Sequence, residues 1–176
     1  MDAEILWLEC VDSTNSEAKR RIAQLNNMSV VATKCQTAGR GQNGHTWFSE
    51  SSQSLTFSLV LKNLRLKSSE QAVISVSTAQ VIVDTLALYG LSARIKWPND
   101  IYCDDKKICG ILIENSLLGE HIKWSIIGIG LNVNNLNFPT DLPNPTSMAI
   151  CAGTEFQIEE VLDQIIDRLA HRLSRL

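Results

Sequence analysis

The chain is short of several things. Among its 176 residues aromatic side chains make up 6%, there are four prolines, and 16 basic residues face 19 acidic ones for a net charge of −3. A balance of this kind gives no footprint for wholesale attraction to nucleic acid or to an anionic membrane. The five cysteines (Cys10, Cys35, Cys103, Cys109 and Cys151) include no CxxC pair, and the three histidines (His45, His121 and His171) lie far apart. Neither type offers metal-ligand spacing, so no protein-bound metal is expected and the cysteines read as reduced, mostly buried thiols. No apolar run is expected to approach the roughly 20 residues that span a bilayer. The acidic start "MDAEILWLEC" lacks the basic n-region of a signal peptide. These absences lead to the expectation of a cytoplasmic protein without a membrane or DNA partner.

What remains is ordinary globular material, 44% hydrophobic and 20% charged, enough for one compact domain with its own core. Strands are expected at "EILWLEC", "SVVATKC", "SLTFSLVLK", "ARIKW" and "DIYCDD", the last two around a Pro98-Asn99 turn. Two long strands joined near Gly119 account for "KKICGILIENSLLGEHIKWSIIGIGLNV". Thr14 and Glu17 have capping-box spacing, with Ala18, Ile22 and Leu25 on one helical face. "SSEQAVISVSTAQVIVDTLALYG" reads as the longest helix, closing on Gly90. The Asn- and Pro-rich "NNLNFPTDLPNPTS" reads as loop. A last helix carries Val161, Leu162, Ile165, Ile166, Leu169 and Leu173 toward the core. Strands and helices that do not strictly alternate give an α+β class, with a mixed, largely antiparallel β-sheet and helices packed on it.

Three stretches hold chemistry. "TAGRGQNGHTW" spaces three glycines around Arg40, whose planar fork suits a carboxylate or phosphate; the competing reading is an exposed hairpin with a packed Trp47. It is neither a Walker loop nor a dinucleotide fingerprint, because no Gly-Lys-Ser/Thr and no helix start follow. "KWPNDIY" brackets a rigid turn between Lys96 and Asp100. "DKKICGILIE" sets Lys107 just before an apolar strand in which Gly110 leaves room for close approach.

Together "STN" (Ser13 to Asn15), "QTAGRGQNGHTW", "KWPND", "KKICGILIE" and "IGIGLNVN" occur in the order and approximate spacing of the biotin protein ligases, and residues 8 to 134 resemble that family. The resemblance implies a class II aminoacyl-tRNA synthetase/biotin ligase-like fold. It also implies synthesis of biotinyl-5'-AMP from biotin and ATP with Mg2+. Biotin would then pass to a lysine of a biotin carrier domain, such as that of acetyl-CoA carboxylase. Arg40, Lys107 and Asp100 would be catalytic, the two cations offsetting repulsion between the biotin carboxylate and the α-phosphate. Asp100 would orient or deprotonate the incoming amine. Ser13, Thr14, Asn15, Gln36, Gly39, Gly110 and Ile111, with Arg40 and Lys107, would bind biotin. Gly41, Gln42, Trp47 and Asn132, again with Arg40 and Lys107, would hold the adenylate.

The chain departs from the family in places. No helix-turn-helix region precedes "EILWLEC", and the chain stops on an amphipathic helix. The expectation is therefore a single catalytic domain over residues 1–176, with no N-terminal DNA-binding domain and no small C-terminal β-barrel. A homodimer is left open. Two rival readings stand beside the ligase: a lipoate or octanoate ligase or transferase, and a biotin or biotinyl-adenylate sensor without turnover. The family's loop often carries more arginines, whereas Asn43 and His45 leave Arg40 its only guanidinium. Each charge-assisted bond contributes about 1.5–3 kcal/mol, so His45→Arg is expected to slow dissociation of biotinyl-5'-AMP. An unchanged off-rate overturns that expectation.

Overall fold

A computed structural model describes residues 4–174. Seven strands form one sheet in the order β1-β2-β3-β7-β6-β5-β4. They are β1 (Ile5–Leu8), β2 (Val30–Thr33), β3 (Ser54–Lys62), β4 (Ala93–Lys96), β5 (Asp100–Cys103), β6 (Lys106–Leu118) and β7 (His121–Asn132). Among the strands of the described residues, the β1–β2 pair is parallel and the other pairs are antiparallel. The mixed, largely antiparallel sheet expected from the sequence is present.

Period-2 alternation sorts the side chains. On β3, Leu55, Phe57, Leu59 and Leu61 enter the large core; on β7, Ile127, Ile129 and Leu131 do the same. That core is closed by α2 (Ala72–Leu88) and α4 (Ile158–Leu173). Their neighbours Val31, Val60 and Ile126 point the other way, into a small cluster with Ala18 and Leu25 beneath α1 (Thr14–Arg20). β3 and β7 are thus covered on both faces, and eight of the nine β3 residues are buried.

Helix α1 is capped one residue earlier than its spacing suggested. Ser13, extended at φ −152° and ψ 133°, is the N-cap and accepts from the Ser16 N–H, while Thr14 is already helical. The helix ends at Arg20, so Ile22 and Leu25 reach the small cluster from the following turn. Helix α2 closes on Gly90 at φ +75°, as expected. Contrary to expectation, Ser68–Leu88 is long and apolar enough to cross a membrane by length and composition. Here Ile74, Ile82 and Leu86 are sunk in the core. Unforeseen was α3 (Met148–Ala152), although Ser147 caps it and Gly153 closes it at φ +73°.

The thiols are less buried than expected. Cys103 and Cys109 are buried, Cys35 and Cys151 partly so, and Cys10 is exposed; all five are free. Strand ends at sheet margins, where Cys10 and Cys35 stand, leave a side chain partly wet. On α4 the six apolar positions named from periodicity are all buried. Leu169, fully buried, is expected to cost about 2–5 kcal/mol of unfolding free energy on truncation to Ala, measured by urea denaturation.

Candidate active site

The site is set by two cross-strand rows on the α1 face. One runs Thr33, Thr56, Gly130, Gly110, Asp100 across β2, β3, β7, β6 and β5. The next runs Val31, Ser58, Gly128, Leu112. Flanking positions such as Val60 and Ile126 carry bulk, whereas the centre of these rows carries glycine, serine and threonine. Small residues here sink the sheet surface and leave room above it. A cavity of about 340 Å³ opens there, within the range of small-molecule sites.

Protein side chains take up part of that room. A Cβ at Gly130 would lie 2.3 Å from the Trp47 indole, and one at Gly110 would lie 2.9 Å from it. The two facing glycines are therefore the seat of Trp47. At Gly128 a Cβ would meet Asn15 Oδ1 at 2.2 Å. These glycines make room for Trp47 and Asn15, and Gly110, Gly128 and Gly130 line the cavity beside them. Trp47 Nε1 is buried there with no partner.

The glycine loop is a hairpin. Trp47 N–H donates to the Gly39 carbonyl (2.9 Å) and Gly41 N–H to that of His45 (2.7 Å), and Arg40 pairs with Thr46. Its turn includes Asn43 at φ 54° and Gly44 at φ 79°. The N–H groups of Gly41 and Trp47 are thus used inside the loop, not aimed at an anion. Gly39 is required by close approach, since a Cβ would stand 2.3 Å from the Trp47 carbonyl oxygen. Gly39 does not itself border the cavity, whereas Arg40, Gly41, Gln42 and Trp47 do.

Two cations meet two carboxylates here. Lys107 Nζ lies 2.8 Å from Asp100 Oδ1 and 5.6 Å from the Trp47 ring centroid. Asp100 is placed by the turn after the cis Trp97-Pro98 bond. That turn is pinned to β6 by Ile111 N–H to the Asn99 carbonyl (2.9 Å) and Asn99 Nδ2 to the Ile111 carbonyl (3.2 Å). Lys96, on the other side of the turn, goes instead to Tyr102, 3.2 Å from its hydroxyl. Lys107 is held by its main chain, which donates to the Asn144 carbonyl (2.8 Å) and accepts from Thr146 N–H (2.9 Å). Arg40 grips Glu114 with both arms, Nη1 to Oε2 at 3.2 Å and Nη2 to Oε1 at 3.1 Å.

The first turn of α1 supplies the opposite wall. Thr14 N–H donates to Gln36 Oε1 at 2.9 Å. Ser58 Oγ donates to Asn15 Oδ1 at 2.6 Å and stands 2.8 Å from Thr14 Oγ1. Asn15 Nδ2 donates to Glu114 Oε2 (3.0 Å) and to the Leu112 carbonyl (3.2 Å). The Asn15 amide is fully engaged by protein, so it braces the wall. Ser58 and Glu114 were missed as site residues; Glu114 closes the "GILIE" motif, and its parity with Gly110 and Leu112 was the available signal.

Two expected residues sit differently. Ile111 borders the cavity, yet its side chain belongs to the core on the far face. Asn132 is buried beyond the cavity lining, its Nδ2 donating to the Thr146 carbonyl at 2.9 Å and its Oδ1 without a partner. Ser13, Thr14, Asn15, Gln36, Arg40, Gly41, Gln42, Trp47, Asp100, Lys107 and Gly110 all reach the one cavity. Elsewhere, Cys103, Asp104 and Cys151 bring three ligand atoms within 4.8 Å of one another, an arrangement the sequence spacing had not suggested. Burial and the neighbouring Cys151 push the Cys103 thiol up to about 12.

With this cavity and its two cation–carboxylate pairs on a mixed sheet, the chain belongs to the biotin/lipoate A/B protein ligase family, whose model matches residues 7–132. Within that family its similarity runs to biotin-handling members. It is 36% identical over 173 residues to the bifunctional ligase/repressor BirA of Bacillus subtilis (strain 168), covering 94% of this chain and 52% of that protein. The chain spans about half the length of the curated relatives it matches. Its fold superposes on the biotin protein ligase of Aquifex aeolicus in complex with biotin and ATP with a TM-score of 0.83 at 27% identity, covering 98% of this chain and 71% of that one. The Leishmania major biotin protein ligase in complex with biotinyl-5-AMP gives 0.80 at 26% identity, covering 99% and 76%.

The wall's anchor has a pH signature. Arg20, hydrogen-bonded to Asp12, and then the Ser13 N–H hold the Asp12 carboxyl down at about 2, against an ordinary 3.8. A lowered value means the contribution is complete above 3.8 and fades as pH falls through about 2. Both side chains are about half exposed, so solvent keeps the effect small. Asp12→Asn is expected to lower stability slightly at pH 7, and urea titrations should show the gap to the parent closing between the two pH values.

Proposed function

We propose that this chain activates biotin with ATP, forming biotinyl-5'-AMP and pyrophosphate, and transfers biotin to a lysine of a biotin carrier domain. The observation that carries the reading is the convergence of Lys107, Arg40 and Asp100 on one cavity whose opposite wall is Thr14 and Gln36. The biotin ring would meet that wall, with the Gln36 amide and the Thr14 hydroxyl as its polar partners. The carboxylate would lie toward Lys107 and Arg40.

Joining a carboxylate to the α-phosphate brings two anions together. Fixed cations in a site shielded from water lower that barrier without an enzyme nucleophile. Lys107 would turn from Asp100 to the reacting oxygens, and Arg40 would exchange the Glu114 carboxylate for phosphate. Trp47 would offer its ring to the adenylate. ATP would bring Mg2+ as its counter-ion. In the second step Asp100, released from Lys107, would accept a proton from the acceptor ammonium or hold its amine, which attacks only when neutral. Carboxyl carrier domains such as that of acetyl-CoA carboxylase are the partner class, and a cytoplasmic setting goes with this reading. The Thr14–Gln36 wall favours a ureido ring over the linear chain of lipoate or octanoate.

Biotin-dependent ATP–pyrophosphate exchange is the test. Exchange is expected in the parent chain and is expected to fall by at least a hundredfold in Lys107→Ala and in Arg40→Ala, in line with the loss of one electrostatic group aimed at a transition state. Exchange supported by lipoate but not biotin, or retained in both variants, overturns the assignment.

A further inference from the structure

Outside the cavity, the β1 and β2 strands carry a feature that the ligase reading leaves unused. Their parallel register pairs Ile5 with Val30 and continues through Leu8 with Thr33. Beyond the strands the same offset returns in the bridge between Val11 and Gln36. Between these two fixed points the register puts Cys10 directly opposite Cys35. The side chains agree: the two Sγ atoms are 2.8 Å apart, and the main chain is tied on both sides by Lys34 N–H to the Leu8 carbonyl (3.1 Å) and Val11 N–H to the Cys35 carbonyl (2.9 Å).

From this geometry we infer that Cys10 and Cys35 form a disulfide-bonding dithiol, a covalent modification site that staples the strand ends leading into the Ser13–Gln36 wall. Paired strands lie ≈ 4.7–4.9 Å apart, within the Cα range a disulfide accepts. The sulfurs need to move less than about 1 Å to reach the ~2.0 Å bond. Cys10 is exposed, so it is the thiol that a small disulfide reaches. Its thiolate attacks one sulfur of a low-molecular-weight disulfide and releases one thiol. The Cys35 thiolate then attacks Cys10 Sγ of the mixed disulfide and releases the second. The two cysteines lose two electrons and two protons, and the external disulfide gains both. Cys109 is fully buried and Cys103 nearly so, and they do not meet the reagent first.

The effect on the fold should be a gain without rearrangement. The new bond closes a loop of 25 residues in the unfolded chain, so the oxidised form is expected to melt several degrees higher. The wall itself stays in place because Val11 and Gln36 are already bridged.

The experiment starts with the reduced full chain and equilibrates it with glutathione disulfide. The expected product has lost two of the five titratable thiols and about 2 Da of intact mass, one disulfide per chain, with peptide mapping linking Cys10 to Cys35. Its thermal midpoint should rise, and Cys10→Ser and Cys35→Ser should each abolish both the linkage and the rise. Retention of all five thiols, linkage of Cys103 to Cys151 instead, or glutathione persisting on Cys10 unresolved by Cys35 would each overturn the inference. A calorimetric biotin titration of the oxidised chain tests whether the wall is undisturbed. That arm alone rests on the ligase reading, and an affinity within about twofold of the reduced chain is expected. If neither form binds biotin, the ligase reading fails while the mass and thiol results still decide the disulfide. Loss of binding on oxidation alone overturns the claim that the staple leaves the wall in place.

Discussion

Smallness at the centre of the sheet is the constraint on which the site depends. Gly110 faces Gly130 across β6 and β7, with Thr56 and Gly128 beside them. Had these positions carried the isoleucines and valines of neighbouring rows, the α1 face would have been filled to the density of the other side. Instead Trp47 lies across the glycine pair. The hairpin of residues 39–47 is thereby tied to the sheet by its last residue, and Arg40 is suspended above the space that remains. A methyl group at Gly130 would therefore reach the guanidinium indirectly, by lifting the indole that anchors its hairpin.

The two faces of the sheet divide the work. Odd-numbered positions of β3 and β7 build the core with α2 and α4, where burial of large aliphatic side chains supplies most of the stability. The even-numbered positions under the cavity, Thr56, Ser58, Gly128 and Gly130, give up that burial to house polar groups. The exchange is tolerable because the polar groups there satisfy one another: Ser58 holds Asn15, Asn15 holds Glu114, and Glu114 holds Arg40. Trp47 Nε1 is an exception, buried against Gly130 of the sheet.

Much of this was legible in the sequence, for reasons that differ by element. The alternation in "SLTFSLVLK" and the heptad-like spacing on α4 are local signals of period 2 and 3.6, and both survived because burial on one face enforces them. The lysine, arginine and aspartate of the site were readable because their motifs stand in a familiar order. What local pattern could not carry was register. That Asp100 stands opposite Gly110, and Gly110 opposite Gly130, depends on pairing between distant segments, with a shift between Ile101 and Tyr102 that no local rule announces. The seat of Trp47 was therefore invisible, as was the engagement of Asn15 by Ser58 and Glu114. The short helix α3 was missed although Ser147 and Gly153 mark its ends, because five residues give too little periodicity to weigh.

The pairing of each cation with a resident carboxylate has a further consequence. Arg40 with Glu114, and Lys107 with Asp100, leave the empty cavity close to electroneutral. An incoming anion must displace a carboxylate that is covalently part of the same chain and so competes at a very high effective concentration. A small inorganic anion has nothing to set against that competitor. A ligand with an apolar body that fills the remaining volume does, because its burial offsets the competition. The internal counter-ions would thus act as a sieve against small anions that bring no such body.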